Sequence, residues 1–272
     1  MMGKSFATPS HRHFFKTKHM QLEKFIENFK DDDLYYGDYS FITNSQMGQL
    51  KKSPLAYQKY RETGMADTNA LIFGRAFHWA ILEPDKFEKK THIFSGKVRR
   101  GKAWDEFKEE YDRDANCILL QSEYNSLRCM QDVINSNAEC QKLLYGGENE
   151  AVSCWEDQDT GVFCKGKADK VKKDYVIDLK TTASGEEHSF RGSAYKYGYN
   201  RQSAFYLDGF GKNNFIFIVI EKTSPYNLYI YECSDQFVDS GREEYKMLLN
   251  IYKEYFIKED KVPSQYYYKG IL

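Results

Sequence analysis

Two acids and a lysine in one short stretch have the residue types needed for metal-assisted cleavage of a phosphodiester. Asp169 ends one apolar run, and Asp178 and Lys180 lie two residues apart in the next. Side chains at i and i+2 of a strand project from the same face, so Asp178 and Lys180 are expected to point together. If the two runs pair as a hairpin around 172–174, Asp169 reaches the same patch.

The chemistry of this trio suits a divalent cation. Hard cations such as Mg²⁺ prefer oxygen ligands, and a neighbouring ammonium can orient a water or stabilise negative charge on a phosphate. The alternative is an exposed hairpin whose charges are simply solvated. The apolar residues directly before Asp178 favour the site, because charged residues are seldom buried unless they are paired or bound to metal.

Two further pairs of residues are spaced four apart on predicted helices, so the members of each pair share a helix face. Gly74 and His78 form the first pair, and Gln202 and Tyr206 form the second. The glycine is expected to let its helix approach the sheet closely, with His78 facing a metal or its water. The alternative for His78 is a histidine packed in the core.

Together these motifs resemble the PD-(D/E)XK nuclease superfamily. GKAD at 166–169 followed by DLK at 178–180 resembles its core motif, GRAFH at 74–78 the GxxxH motif of RecB-type nucleases, and QSAFY at 202–206 their QxxxY motif. Segments 44–54 and 82–84 further resemble the RecE-like phage exonuclease branch. The chain departs from the commoner pattern at Ala168, where a proline is usual, and at Asp178, where glutamate is commoner.

The resemblance implies a metal-dependent deoxyribonuclease, specifically a RecE-like 5′→3′ exonuclease acting on linear double-stranded DNA in recombination. The expected cofactor is Mg²⁺, with Mn²⁺ as an alternative. The resemblance also implies a role for each matched residue: metal ligation by His78, Asp169, Asp178 and the backbone carbonyl of Leu179, positioning or deprotonation of the attacking water by Lys180, and substrate orientation by Gln202 and Tyr206.

Partners follow from the same resemblance. RecE-like enzymes form rings around DNA and leave a 3′ single strand for an annealing protein, so a homo-oligomeric ring acting on DNA ends and such a partner are expected. Two alternatives stay open: a structure-specific endonuclease of the same fold, and a non-catalytic DNA-binding or scaffold homologue. The intact trio argues against the second.

The composition indicates a folded chain. Of 272 residues 41% are hydrophobic, enough to bury a large core. The resemblance implies an α/β fold with a restriction-endonuclease-like core, in which helices flank a central mixed β-sheet. We predict one domain over 39–272 after an irregular or loosely helical segment, 1–38. Since the net charge is only −1, any basic DNA-binding surface must be local. The basic residues near the motifs are Lys165, Lys167, Lys170, Lys172, Lys173, Arg191, Lys196 and Arg201. For any single lysine among them, the favoured alternative is an ordinary solvated surface charge.

Several features of the chain argue against other classes. Six scattered cysteines without a CxxC pair predict reduced thiols in a cytoplasmic protein, and only Cys233 follows the QxxxY motif, so no iron–sulfur cluster is expected. No apolar run approaches the roughly 20 residues of a membrane span, and no secretory signal is expected, because the first residues lack an apolar stretch. The histidines at 11 and 13 could bind metal and the tyrosines at 266–268 could stack on bases, although a mobile start and a packed or disordered tail are the alternatives.

The elements that must position these residues are predicted from caps, turn signals and apolar periodicity. Glu150, at the start of the first strand, could lie near the metal. Residues 102–138 are expected to form two polar helices, with Leu119 and Leu120 in their apolar stripe. The other predicted helices are 44–61 broken at Pro54, 67–82, 186–210 interrupted near Gly192 and Gly198, and 234–258. The predicted strands are 150–155, 161–171, the run ending at Thr182, 214–222 and 227–233.

Overall fold

The computed structural model describes residues 20–64, 66–112, 116–258 and 262. The histidines at 11 and 13 and the tyrosines at 266–268 lie outside the described residues. The described residues divide into two compact units, the first from 20–64, 152–166 and 243–258, the second from 66–112, 116–151 and 167–242. The expectation of a single domain over 39–272 stays a prediction.

The described residues form both helices and strands, with six helices before the first strand and three consecutive strands, β3 to β5, in the middle of the chain. The helices are α1 (Met20–Asn28), α2 (Asp32–Gly37), α3 (Asn44–Leu50), α4 (Pro54–Thr63), α5 (Asn69–Leu82), α6 (Pro84–Lys90), α7 (Lys102–Tyr111), α8 (Gln121–Ser136), α9 (Ala138–Leu144), α10 (Glu187–Tyr197), α11 (Tyr199–Phe210) and α12 (Asp235–Tyr252), with a π-helical turn at Lys253–Lys258. The strands are β1 (Thr91–Phe94), β2 (Cys117–Leu120), β3 (Glu148–Glu156), β4 (Phe163–Val171), β5 (Tyr175–Thr182), β6 (Asn214–Glu221) and β7 (Leu228–Glu232).

The main sheet has five strands in the order β3-β4-β5-β6-β7. The β4–β5 pair is antiparallel, β5–β6 is parallel, and β6–β7 is antiparallel, so the sheet is mixed. β1 and β2 form a separate parallel pair. The predicted α/β class and the mixed sheet flanked by helices are therefore confirmed.

One face of β5 and β6 carries the core of the second unit. Ile177, Leu179 and Ile218 point to this face, as the period of two requires, and belong to one buried cluster with α5 residues such as Ala76 and Phe77. The neighbouring positions of β5 point to the opposite face, where Asp178 and Lys180 lie. Burial of the aliphatic face thus fixes which face the charged residues occupy.

The helix before the site begins and ends where its sequence signals predict. The Thr68 side chain accepts a hydrogen bond from the Leu71 backbone N–H and caps α5. The predicted break at Pro54 is confirmed, because Pro54 begins a separate helix, α4. The expectation of close approach at Gly74 is wrong, since a Cβ there would have no atom of a neighbouring element within 4 Å.

Two expectations from the polar segments are also corrected. Leu119 and Leu120 do not lie on a helix, because residues 117–120 form β2, which pairs with β1. Three of the basic residues near the motifs are not surface residues, since Lys165, Lys170 and Arg201 are buried. The Lys170 ammonium donates to the Asn149 side chain at 2.7 Å instead of facing solvent. No helix in the described ranges combines the length and apolar character needed to cross a bilayer.

A buried lysine lies at the centre of the first unit. Lys165 is completely buried, and its ammonium donates to the backbone carbonyls of Tyr35 at 2.5 Å and Asp38 at 2.8 Å. The same ammonium lies 4.2 Å from the Phe29 ring centroid and 4.8 Å from that of Tyr35. Cation–π contacts and carbonyl acceptors replace the water that the charge loses on burial. Lys165, on β4, therefore has a structural role, because its ammonium binds the end of α2 and the residue that follows it.

Replacement of Lys165 by methionine is expected to lower the free energy of unfolding by about 2–4 kcal/mol, because buried carbonyl acceptors lose their donor. Urea denaturation followed by circular dichroism measures the change. Lys24→Met, on the exposed side of α1, is the matched control and should leave the midpoint unchanged. Equal midpoints for both variants would show that the carbonyls find other donors.

Candidate active site

The acid and the lysine of β5 form a buried ion pair. The Lys180 ammonium contacts an Asp178 carboxylate oxygen, and Asp178 is only 2% exposed. The other Asp178 oxygen accepts a hydrogen bond from the Gln202 side-chain amide at 2.7 Å. The Lys180 ammonium also lies 4.6 Å from the Tyr199 ring centroid. Asp178 and Lys180 thus share a face as predicted, and two residues of α11, Gln202 and Tyr199, pack against them.

Asp169 connects β4, β5 and α5 at one point. β4 and β5 pair at Lys170–Ile177 and Val171–Val176, and next to these pairs the Asp169 side chain accepts the Leu179 backbone N–H at 2.7 Å. The other carboxylate oxygen lies 3.3 Å from His78 Nδ1. This carboxylate therefore holds the end of the hairpin and faces the histidine of α5.

The orientation of the His78 ring follows from its second nitrogen. Nε2 lies 2.9 Å from the Leu179 backbone oxygen, and because a carbonyl can only accept, Nε2 carries the hydrogen. Nδ1 is then free to act as an acceptor or ligand when it is deprotonated, with Nε2–H fixing the ring as in many metal-binding histidines. The Leu179 oxygen accepts from His78 in this structure, and its role as a metal ligand stays a prediction.

A third acid approaches this pair from β3. Each of His78, Glu150 and Asp169 offers a possible ligand atom, and these atoms lie within 4.8 Å of one another. Glu150 has a backbone φ of +48°, a conformation that non-glycine residues rarely adopt. Such a conformation costs about 1–3 kcal/mol and is found preferentially at functional sites. The donor set of one imidazole and two carboxylates suits a divalent cation such as Mg²⁺ or Mn²⁺.

The pKa values of these groups show how strongly they interact. Burial raises the pKa of Asp178 to about 6 against the opposing Lys180 charge, and burial with the Asp169 charge raises that of Glu150 to about 8. Burial lowers the pKa of His78, but the carboxylates of Asp169 and Asp178 outweigh it and raise the value to about 9. Burial would raise the pKa of Asp169, yet the positive charge of His78 outweighs burial and holds the Asp169 pKa below the ordinary value.

The structure brings most of the predicted residues together. His78, Asp169, Asp178 and Lys180 interact electrostatically, and Gln202 reaches them through Asp178. Tyr206 is buried one turn after Gln202, where its ring lies 6.0 Å from that of Phe210. The catalytic and metal-binding roles of these residues stay predictions.

Tyr199, which covers Lys180, is the residue that the sequence analysis missed. It lies three positions before Gln202 on α11, so the helical period places both side chains on the same side. The helical spacing could therefore have indicated Tyr199, but none of the recognised motifs includes this position.

Two glycines fix where α11 lies. Gly198 has φ +70°, a left-handed conformation that ends α10 and allows α11 to begin in a new direction. A Cβ on Gly241 of α12 would lie 1.9 Å from the Asn200 backbone oxygen. Glycine is therefore required at position 241, where α12 approaches the first turn of α11 closely. This close packing of the two helices positions Gln202 over Asp178.

The affinity for a divalent cation is expected to rise with pH between about 6 and 9, the range of the Asp178, Glu150 and His78 pKa values. These groups hold protons that a metal must displace, so affinity should increase about tenfold per pH unit for each displaced proton. Calorimetric titration with Mn²⁺ at several pH values measures this dependence. The Glu150→Gln variant should lose the part of the rise near pH 8, and an affinity independent of pH would contradict the coupling.

Comparison with known proteins supports the fold. A crystal structure from Eubacterium rectale, of a protein provisionally described as an exonuclease, aligns with a TM-score of 0.59 at 15% identity over 90% of this chain and 95% of that chain. An alkaline exonuclease from Laribacter hongkongensis aligns with a TM-score of only 0.35 at 11% identity, over 85% of this chain and 98% of that chain, which is too low to support an argument. No curated protein matches the chain significantly.

A family model matches residues 43–265, which is most of the chain and includes every candidate site residue. This match confirms the resemblance to the PD-(D/E)XK superfamily that the motifs indicated. The acid pair, the lysine and the histidine therefore lie in the sequence region that defines the family. The chain belongs to the family described as the PDDEXK-like domain of unknown function (DUF3799).

Proposed function

We propose that this chain is a metal-dependent deoxyribonuclease, specifically a RecE-like 5′→3′ exonuclease that degrades linear double-stranded DNA in recombination. The observation that supports it best is the convergence of His78, Asp169, Asp178 and Lys180 from three separate elements. The exonuclease description of the Eubacterium rectale protein, which shares the fold, supports the same choice.

The residues present fit a divalent cation. His78, Asp169 and Glu150 would hold it, with Asp178 and the Leu179 carbonyl as further ligands implied by the resemblance. A bound Mg²⁺ or Mn²⁺ supplies Lewis-acid activation of the phosphate and lowers the pKa of a water.

Lys180 contributes a positive charge next to this acid cluster. Burial lowers the pKa of its ammonium, but the Asp178 carboxylate outweighs burial and raises the value above the ordinary one. The ammonium therefore stays protonated at neutral pH and can only donate hydrogen bonds. This favours positioning of the attacking water and stabilisation of negative charge on the phosphate over deprotonation of the water.

Gln202 has a supporting role. Its amide donates to Asp178 at 2.7 Å, which fixes the carboxylate that pairs with Lys180. The residue thus orients the reacting groups through Asp178.

Digestion of linear duplex DNA beside a closed circle of the same sequence tests the proposal. With Mg²⁺ the chain should remove the linear DNA only. Asp178→Ala should abolish this activity, and Asp174→Ala, an exposed acid in the β4–β5 turn, should retain it. Cutting of the circle would establish the endonuclease alternative, and no cleavage of either DNA with Mg²⁺ or Mn²⁺ would refute catalysis and leave a DNA-binding or scaffold role.

Strand polarity and assembly need separate measurements. Labels at the 5′ or 3′ end of the linear duplex should show release from the 5′ end first. Light scattering of the purified chain gives the mass of the assembly and so tests the proposed ring. Co-purification with a single-strand annealing protein tests whether the two proteins associate. Release from the 3′ end or a monomer in solution would refute the RecE-like part of the proposal while leaving the nuclease assignment intact.

A further inference from the structure

An open groove lined by aromatic rings lies beside the candidate site in the second unit. It has a volume of about 300 Å³ and is formed by α10, β6, β7 and the start of α12. We call it the aromatic groove and define it by its five rings, Phe190, Tyr195, Phe217, Tyr231 and Phe237. Ligand sites are commonly apolar clefts of this size with a few polar groups at the rim.

The rings form a floor and two walls. Phe190 and Phe217 are buried at 5% and 1% exposure and form the floor. The Phe190 ring stacks on Tyr231 with centroids 5.3 Å apart and planes 10° apart. On the open side Tyr195, which is 43% exposed, lies 5.2 Å from the ring of Phe237. The Tyr231 ring also stacks on Tyr229, with centroids 6.0 Å apart. The groove therefore offers mainly the partly exposed rings of Tyr195 and Phe237 to a ligand entering from solvent.

The composition of the lining indicates what kind of ligand fits. Among the described residues that line the groove there is no leucine, isoleucine, valine or methionine. Aromatic-lined grooves accept either proline-rich peptides or planar rings, and the nearby Lys180 of the candidate nuclease site favours the planar base of a nucleotide here. At the rim Arg191 pairs with Glu187 at 2.6 Å, so its charge is balanced and the rim does not favour a phosphate. Glu232 and Gln236 at the same rim can exchange hydrogen bonds with the edge of a base.

The floor of the groove borders the candidate site. The Phe217 ring centroid lies 5.9 Å from the Lys180 ammonium and 5.7 Å from the Tyr199 ring. Phe217 pairs with Asp178 in the β5–β6 register, so both residues occupy the same level of the sheet. A nucleotide whose phosphate is close to Lys180 can therefore place a neighbouring base in the groove.

We propose that the aromatic groove binds one unpaired nucleobase of the strand being cut, next to the scissile phosphate. The inference rests on the proposed nuclease function and specifies its substrate: the DNA must be single-stranded or unpaired at this nucleotide. Ring stacking accepts any base, so the groove selects an unpaired end and not a sequence. A duplex end must open by at least one base pair before it is cut.

An abasic scan tests this. Single-stranded oligonucleotides, each with one abasic site at a successive position, are bound to the chain in Ca²⁺, and affinity is measured by fluorescence anisotropy. One position should weaken binding by about 5- to 100-fold when its base is removed. Tyr195→Ala should weaken binding of the intact oligonucleotide and abolish the penalty at that position. Tyr145→Ala, at an 84% exposed tyrosine outside the groove, is the matched control and should behave as wild type.

The outcomes separate this inference from the proposed function. Equal abasic profiles for wild type and Tyr195→Ala, or no binding of single strands, would overturn the groove assignment even if linear duplex DNA is degraded. A groove-dependent abasic penalty without any cleavage in Mg²⁺ would support base binding and refute the nuclease. Thermal melting of Tyr195→Ala checks that the variant is folded, which its exposed position favours.

Discussion

Replacement of Lys180 by methionine is expected to lower the rate of DNA cleavage by about 10²- to 10³-fold, the loss typical when one preorganised charge-stabilising donor is removed. The ammonium is the only cation in contact with Asp178 among the described ion pairs of the second unit. Removal leaves Asp178 buried with the Gln202 amide alone, so the pKa of Asp178 should rise further above about 6. Part of the lost activity should therefore return as the pH is raised.

A pH–rate profile separates these two contributions. Single-turnover cleavage of end-labelled linear duplex is measured from pH 6 to 9 for wild type and Lys180→Met. The variant should show a lower plateau and a rise displaced to higher pH. Lys108→Met, at an exposed lysine of α7 paired with Asp112, is the matched control and should retain both plateau and midpoint. If Lys180→Met reached the wild-type cleavage rate on the high-pH plateau, Lys180 would only balance the charge of Asp178 and would not stabilise the transition state.

The motifs predicted most of the site because regular elements convert spacing into direction. Asp178 and Lys180 share a face through the strand period, and Gln202 reaches Asp178 because α11 packs over that face. The apolar run of β6 and its parallel pairing with β5 fix the register, so a slip of one residue would bury the charges in the aliphatic core. Such local rules are visible in one sequence.

Other features depend on tertiary contacts that no local pattern encodes. Glu150 approaches His78 and Asp169 through a left-handed backbone conformation that strand periodicity does not predict. Lys165 resembles its neighbouring lysines in sequence, yet it is buried by two aromatic rings and by backbone carbonyls at the end of α2, which is distant in the chain. Leu119 fits a helical stripe equally well, and only pairing with β1 makes its segment a strand.

The aromatic groove could not be predicted either, because it also depends on tertiary contacts. Its rings come from four elements that are separated by up to 47 positions between Phe190 and Phe237, and each ring alone is typical of core packing. Their convergence beside Lys180 appears only when β6 pairs with both β5 and β7. Chemistry-bearing motifs were therefore more predictable than the surface that selects the substrate.

Replacement of Asp169 by asparagine is expected to cause the second large loss. The carboxylate accepts the Leu179 N–H and faces His78 Nδ1, and it belongs to the cluster that would hold the metal. Cleavage should fall by more than the roughly 10- to 100-fold typical of residues that only support metal ligands. The asparagine oxygen can still accept from Leu179, so the hairpin should remain folded and the loss should reflect charge.

The titration of His78 gives a readout that does not depend on activity. The Asp169 charge is the largest influence that raises the His78 pKa to about 9, and burial opposes it. In Asp169→Asn the pKa should therefore fall towards or below its ordinary value, which NMR titration of the imidazole protons measures in the metal-free chain. Asp174→Asn, at the exposed turn, should change neither the titration nor cleavage. An unchanged His78 pKa in Asp169→Asn would refute the contact on which the site is built, whereas a lowered pKa with full activity would place the essential charge on Asp178 and Glu150.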